Sequence, residues 1–186
     1  MLRIEHLSKA YGEKKAVDDL NLHIAPGEIY GFIGHNGAGK TTTLKSVADI
    51  FGVSAADRQD RIRQYAGLFE LTEDLAQPIA AYSHGMKQKL AIISAWLHRP
   101  RLILMDEPFV GLDPKAAHLL KGMMRQVCDE GGAIFFSTHV LEVAEKLCDK
   151  VAIIQGGRLI RSGTMEEVKG DDSLEDVFLE LEGESC

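Results

Sequence analysis

The sequence predicts an α/β fold with a mainly parallel sheet, and three observations support this prediction. Short apolar runs typical of strands alternate with longer segments of helical periodicity. One run, residues 29–34 (IYGFIG), ends in glycine and leads into a glycine-rich loop, as buried parallel strands often do. Two segments of period-two alternation occupy the first 24 residues, and they predict an N-terminal antiparallel β region.

The first half of the chain is predicted to contain three strands and three helices. Residues 2–11 and 16–24 are the alternating strands, residues 25–28 (APGE) form a turn, and residues 29–34 form the buried strand. A helix is predicted from Lys40 through residue 51. A second covers residues 54–70, where Ser54 is the cap, and a third covers residues 86–98 and ends at Arg99-Pro100.

The second half continues the alternation of strands and helices. Strands are predicted at 101–108 and 133–139, with a helix at 114–132 that has proline at its start and glycines at its end. A helix at 140–149 follows, and residues 150–163 predict a hairpin that turns at Gly156-Gly157. Nine acidic residues and one lysine occupy 166–186, so we predict a solvated C-terminal segment.

Composition limits the classes of function. The chain has 186 residues, of which 45% are apolar and 26% charged, as in ordinary globular domains. The net charge of −7 disfavours a nucleic-acid partner. Cys128, Cys148 and Cys186 are widely spaced and predict neither a disulfide framework nor a metal site. No apolar run approaches the roughly 20 residues of a membrane span, so we expect a soluble cytosolic chain.

Residues 34–43 (GHNGAGKTTT) contain the phosphate-loop pattern G-x-x-x-x-G-K-[ST], with Gly34, Gly39, Lys40 and Thr41 in register. Glycines let backbone N–H groups close around phosphate oxygens, and the following helix directs its positive end at the same anion. Lys40 is predicted to neutralise the β- and γ-phosphates, and the Thr41 hydroxyl to bind Mg²⁺. The preceding strand and following helix make a chance match improbable.

Two acidic residues follow a second apolar run. Residues 102–108 (LILMDEP) place Asp106 at the carboxyl edge of the sheet, where ligands of open α/β sheets bind. Asp106 is predicted to hold the metal, usually through water, and Glu107 to orient or deprotonate an attacking water. The alternative is a buried strand with a solvated acidic end.

His139 ends a later strand within the sequence STHV. A histidine at that position can contact the γ-phosphate and the attacking water, although a lone histidine is more often structural.

The order of these motifs resembles that of ATP-binding cassette (ABC) proteins. Residues 82–88 (YSHGMKQ) are similar to the family's signature motif, and residues 111–114 (GLDP) to its D-loop. The variant SHGMKQ, the stretch DEPFVGLDP and the tail SLEDVFLELEGE resemble stand-alone ATPase subunits of ABC-2-type bacterial transporters. The resemblance covers most of the chain and implies a P-loop NTPase (RecA-like) core, with a helical lobe that carries the signature motif.

The resemblance also implies a single nucleotide-binding domain over residues 1–186. Residues 1–48 and 100–165 would form the core, 49–99 the helical lobe and 166–186 the acidic C-terminal segment. Two copies would form a head-to-tail homodimer with two ATP molecules in the interface.

Further site residues follow from the same resemblance. Ser83 and Gly85 would contact the γ-phosphate bound on the other subunit, and Tyr11 would stack on adenine unless it is a core tyrosine. Asp113 would help connect the two sites, and His84 replaces a commoner glycine. The alternatives are that residues 83–85 (SHG) are a simple helix cap and that Asp113 caps the next helix. The nucleotide-binding residues implied are Tyr11, Gly34, Asn36, Gly37, Ala38, Gly39, Lys40, Thr41, Thr42, Ser83 and Gly85.

One departure from the family lies between Lys40 and Ser83, which are 43 residues apart, whereas related domains have about twice that spacing. The content absent here normally includes a β-hairpin region, a core strand and the Q-loop, with the join near residues 46–50 (SVADI). Loss of a buried strand would leave the hydrogen-bonding edge of its neighbour unpaired unless the sheet rearranges.

The resulting functional prediction is an ATPase subunit that powers a separate membrane-spanning permease, with ATP and Mg²⁺ as ligands. We expect it at the inner face of the cell membrane, held there by the permease. One alternative is a nucleotide-binding remnant or regulatory module without efficient turnover, because the Q-loop region is missing. Another is a soluble ABC protein of DNA repair or translation, although such proteins usually carry tandem cassettes or long coiled-coil insertions.

Overall fold

Two sheets form the framework of the fold. The computed structural model describes residues 2–12, 14–33, 56–97 and 99–183, with side chains except at 11, 14–15, 56–59 and 182–183. Strands β1 (Leu2–Tyr11) and β2 (Lys14–Ile24) form an antiparallel pair. The other strands form a five-stranded sheet in the order β4-β5-β3-β6-β7. They are β3 (Ile29–Ile33), β4 (Leu102–Asp106), β5 (Ala133–Thr138), β6 (Lys150–Gln155) and β7 (Arg158–Thr164).

The larger sheet is mainly parallel, as predicted. β3, β4, β5 and β6 pair in parallel, and only the β6–β7 hairpin is antiparallel. Together with the β1–β2 pair, this confirms the predicted fold class.

Six helices lie in the described ranges. They are α1 (Ala56–Leu68), α2 (His84–Trp96), α3 (Pro114–Asp129), α4 (Leu141–Leu147), α5 (Met165–Lys169) and α6 (Leu174–Gly183), with short 3₁₀ turns at Glu73–Ala76 and Ile79–Ala81. α2 begins two residues before the predicted start, because the Ser83 hydroxyl accepts a hydrogen bond from the Met86 N–H at 3.2 Å and caps the helix there. The predicted helix from Lys40 and the Ser54 cap lie outside the described residues. No helix in the described ranges is long and apolar enough to span a membrane.

The C-terminal segment differs from the prediction that it is simply solvated. It contains α5 and α6, and Val168, Leu174 and Val177 are buried in the core. The acidic residues 171, 172, 175, 176 and 180 are exposed. The segment is therefore amphipathic. The prediction rested on its acidic composition and overlooked the helical spacing of its apolar residues.

The two faces of the parallel sheet carry separate apolar clusters. In β3, Ile29 and Ile33 pack with the helices, whereas Tyr30 and Phe32 pack with the β1–β2 sheet. The Phe135 ring in β5 lies 5.8 Å from the Tyr30 ring and 5.3 Å from the Phe32 ring, measured between centroids. The period-two alternation of these strands therefore places helices on one face of the sheet and the small antiparallel sheet on the other.

β4 is the edge strand of the sheet within the described residues. There it pairs only with β5, and Leu102 and Leu104 remain partly exposed.

Candidate nucleotide site

The carboxyl ends of three parallel strands meet at one edge of the sheet. Ile33 at the end of β3 pairs with Thr138 of β5, and Asp106 at the end of β4 pairs with Ser137. The phosphate-loop sequence follows Ile33 directly along the chain. This edge is where open α/β sheets bind their ligands.

Four side chains at this edge form what we call the strand-end cluster: Asp106, Glu107, Ser137 and His139. Ser137 is fully buried, and its hydroxyl donates a short hydrogen bond to Asp106 Oδ1. The Glu107 N–H donates to the Ser137 carbonyl at 3.2 Å and lies 3.1 Å from Ser137 Oγ. These contacts fix the two acidic residues relative to the end of β5.

Glu107 and His139 are in direct contact. His139 Nδ1 lies 2.9 Å from Glu107 Oε2, and the histidine is more exposed than the glutamate (53% against 22% of the side chain). The Val140 N–H donates to Thr138 Oγ1 at 3.0 Å, which forms a local turn that directs the chain away from β5 at His139. The arrangement places a carboxylate and an imidazole side by side at the open edge of the site.

Glu107 has an unusual backbone conformation. Its φ is +47°, in the left-handed region that glutamate rarely adopts. Hydrogen bonds on both sides stabilise it, since its N–H bonds to Ser137 and its carbonyl accepts from the Val110 N–H at 3.2 Å. Strained residues of this kind concentrate at functional sites.

Ser137 is the member of the cluster that sequence reasoning missed. Its only signal was its position in STH, next to the histidine that was selected. Its role depends on being the register partner of Asp106, which is 31 residues earlier in the chain.

The second half of the predicted site lies at the start of α2. Ser83 is the N-cap of this helix and Gly85 lies in its first turn. Both are therefore at the positive end of a 13-residue helix, as an anion-contacting motif requires.

The remaining predicted nucleotide residues are not described by the structure. Tyr11 lies in β1 opposite Lys14, but its side chain is outside the described set. The others lie wholly outside the described residues: Gly34, Asn36, Gly37, Ala38, Gly39, Lys40, Thr41 and Thr42. Their roles stay predictions from the motif.

The donors at this edge fit Mg²⁺. Asp106 is exposed at the end of β4, and the Ser137 hydroxyl holds one of its oxygens. Mg²⁺ takes oxygen ligands and is commonly bound by one or two carboxylates together with substrate phosphates and water. Across the part of the chain that the structure describes, no three His, Cys, Asp or Glu side chains form a larger chelating cluster.

The cysteines described are part of the core. Cys128 and Cys148 are both buried and form no disulfide. Burial raises the pKa of the Cys128 thiol to about 11, and it also raises the pKa of the Cys148 thiol. An atom added at the Cβ position of Gly31 would lie 2.7 Å from Cys148 Sγ, so this thiol fills the space beside β3.

Two protein-family models match adjacent parts of the chain. A model described as "ABC transporter" matches residues 17–55, and one described as "AAA domain, putative AbiEii toxin, Type IV TA system" matches residues 50–145. The two matches meet beside the predicted join at residues 46–50. The first covers the phosphate loop, and the second covers the signature-like motif and the strand-end cluster.

Similar proteins cover nearly the whole chain. An ABC transporter ATP-binding protein of Methanocaldococcus jannaschii, MJ1023, is 30% identical over 206 residues, which cover 90% of this chain and 79% of that protein. The solved structure of an ATP binding subunit of an ABC transporter superposes with a TM-score of 0.89 at 28% identity, covering 96% of this chain and 98% of that one. The ATP-binding cassette MJ0796, solved as a dimer bound to ADP and Pi, has a TM-score of 0.76 at 20% identity, covering 89% and 99%, and supports the fold alone.

The match to the Methanocaldococcus protein also shows a difference in length. It runs over 206 positions, more than the 186 residues of this chain, so that relative has residues with no counterpart here. Because the sequence similarity extends over nearly the whole chain and the fold agrees with it, the chain belongs to the family of ABC transporter ATP-binding proteins.

Proposed function

We propose that this protein binds and hydrolyses ATP as the nucleotide-binding subunit of a membrane transporter. The observation that supports this most strongly is the strand-end cluster. A candidate general base, Glu107, contacts His139 and is held beside Asp106 through Ser137. The cluster lies at the sheet edge from which the phosphate-loop sequence continues.

In the proposed reaction, Glu107 orients the attacking water and accepts its proton while the water oxygen bonds to the γ-phosphorus. The bond from that phosphorus to the β–γ bridging oxygen breaks, and its electron pair leaves with ADP. Lys40 neutralises the β- and γ-phosphates, and His139 contacts the γ-phosphate and the water. Asp106 and Thr41 would hold Mg²⁺, which when bound offsets charge on the phosphate oxygens.

We further propose that two copies assemble head to tail around two ATP molecules. The position of Ser83 and Gly85 at the start of α2 supports this, because a helix N-terminus suits a γ-phosphate presented by a second subunit. A separate integral membrane permease would be the partner that the cycle drives. The protein would then lie in the cytoplasm, peripheral to the inner face of the membrane.

The alternative is a nucleotide-binding remnant without efficient turnover. The short spacing between Lys40 and Ser83 motivated it, but the strand-end cluster argues against it. Its buried serine and its Glu107–His139 contact are features that binding alone does not require.

A Glu107→Gln variant tests the proposal, with Glu175→Gln as the matched control on an exposed face of α6. We expect Glu107→Gln to lower the rate of phosphate release by roughly a hundredfold or more, as loss of a general base does. Light scattering should show this variant as a dimer with Mg-ATP and a monomer without it. Glu175→Gln should match the wild type in both assays.

Two results would contradict the proposal. Undiminished ATPase activity in Glu107→Gln would remove the role assigned to this carboxylate. Tight ATP binding by the wild type, without phosphate release and without dimers, would favour the remnant.

A further inference from the structure

The loop that leaves the catalytic glutamate packs against the signature motif of the same chain. We call residues 108–113 the linking loop, because they join Glu107 to α3, and residues 83–89 the signature segment. Contacts between these two pieces tie the start of α2 to the residue predicted to activate water.

The closest contacts involve two glycines and one ring. An added Cβ at Gly111 would lie 2.7 Å from His84 Cδ2, and an added Cβ at Gly85 would lie 2.7 Å from the Gly111 carbonyl oxygen. Real Cβ atoms essentially never come this close, so the His84 ring lies directly against the linking loop and the two backbones touch. Gly111 also has a φ of +79°, which favours glycine there.

Polar contacts continue the junction along α2. Gln88 Nε2 donates to the Pro108 carbonyl at 3.1 Å, and Pro108 is the residue next to Glu107. At the next residue of α2, Lys89 Nζ lies 2.7 Å from Asp113 Oδ2, with the lysine side chain only 15% exposed. The linking loop is therefore held at both ends and in its middle.

We propose that His84 is a positioning residue for hydrolysis. The His84 ring packs on Gly111, so a movement of the signature segment would displace the linking loop. Because the linking loop begins next to Glu107, that movement would also change the position of the Glu107 carboxylate. The inference rests on the proposed function, in which the signature segment meets the γ-phosphate of the partner copy. When the dimer closes, the His84 ring of each chain would then fix the position of the Glu107 carboxylate in the same chain.

His84 is the part of this junction that can be tested selectively. Gly85 and Gly111 contribute backbone, and Asp113 also caps α3 by accepting from the Ala116 N–H at 2.8 Å. His84 is exposed apart from its contact with the loop, so removing the ring should leave the core intact. Phenylalanine keeps a flat ring of similar size without the nitrogens.

The experiment compares His84→Ala, His84→Phe and His118→Ala, where His118 is an exposed histidine of α3, outside the signature segment and the linking loop. We expect His84→Ala to lower kcat about three- to tenfold, because small misplacement of a catalytic group has large effects on rate. KM for ATP should stay within about twofold, since ground-state binding is not affected. His84→Phe should retain at least half of the wild-type kcat, and His118→Ala should equal the wild type.

Melting temperature and ATP-driven dimerisation separate this role from a structural one. His84→Ala should melt with the wild type, and in the Glu107→Gln background it should still dimerise with Mg-ATP. A wild-type kcat in His84→Ala, a failure of His84→Phe to retain activity, or loss of the dimer together with a raised KM would each overturn the proposal. Absence of turnover in the wild type would overturn the proposed function itself.

Discussion

The strand-end cluster and the contact between signature segment and linking loop are built in different ways. In the strand-end cluster, backbone pairing between β4 and β5 places Asp106 opposite Ser137, and one buried hydroxyl joins the acidic residues. In the other region a helix end meets a loop through side chains, chiefly His84, Gln88 and Lys89. One region takes its geometry from a sheet and the other from several separate contacts.

This difference indicates how each region responds to change. A buried polar group that loses its partner is costly, so the strand-end cluster should be sensitive to single substitutions. Separate surface contacts contribute little each, so the signature region should lose activity in smaller steps.

Among the substitutions that compare the two regions, Ser137→Ala should have the largest effect, because it removes the hydroxyl shared by Asp106 and Glu107. We expect the ATPase rate to fall about ten- to a hundredfold. The free energy of unfolding should fall by about 0.5–1.5 kcal/mol, because the hydrogen bonds of the Ser137 hydroxyl are lost while Asp106 stays exposed and the Glu107 N–H keeps the Ser137 carbonyl. Phosphate release and urea unfolding measure the two effects.

Ser94→Ala is the matched control for this variant. Its hydroxyl donates to the Leu90 carbonyl at 2.8 Å on the exposed side of α2, far along the helix from its N-terminus. Wild-type activity in Ser137→Ala would show that strand pairing alone places the carboxylates, and the contrast between the two regions would fail.

Much of the fold could be predicted because its periodicities are distinct. The buried runs ending at Ile33, Asp106 and Thr138 all became strands of the parallel sheet. The acidic tail was the main error. There, composition outweighed the helical spacing of Val168, Leu174 and Val177, whose burial depends on the rest of the fold.

Residues of the site could be predicted from the sequence only where a local motif indicates their role. Glu107 and His139 follow apolar runs, and the structure brings them together. Ser137 and the His84–Gly111 contact could not be predicted in the same way. Both depend on tertiary packing between segments distant in the sequence, and no local pattern encodes that packing.

Gly111→Ala should have an intermediate effect, and Gly131→Ala provides a close control. Both glycines have positive φ, +79° and +82°, but an added Cβ meets nothing within 4 Å at Gly131 and the His84 ring at Gly111. Backbone strain should therefore lower the free energy of unfolding by roughly 1 kcal/mol in each variant. Only Gly111→Ala should also lower kcat, by about threefold to fivefold, because it displaces the ring.

A double variant sharpens this test. In His84→Ala the ring is already absent, so adding Gly111→Ala should lower kcat no further. Fully additive losses in kcat would mean that the two residues act separately. The His84–Gly111 contact would then not couple the signature segment to the linking loop.

Lys89→Met should have the smallest effect, because it removes one partly exposed ion pair. The hydrogen bond from Lys89, followed by that from the Ala116 N–H, lowers the pKa of Asp113. A lowered folded-state pKa stabilises the protein above the ordinary carboxyl pKa, and this stabilisation is lost as the pH falls through the folded-state value. At neutral pH we expect Lys89→Met to lower the melting temperature by about 1–3 °C.

This difference in melting temperature from the wild type should shrink at a pH below the usual carboxyl pKa, where Asp113 becomes neutral in both proteins. Lys87→Met should show no such dependence on pH. A difference in melting temperature that persists unchanged at acidic pH would mean that the Lys89 stem, packed on the loop, contributes more than its charge.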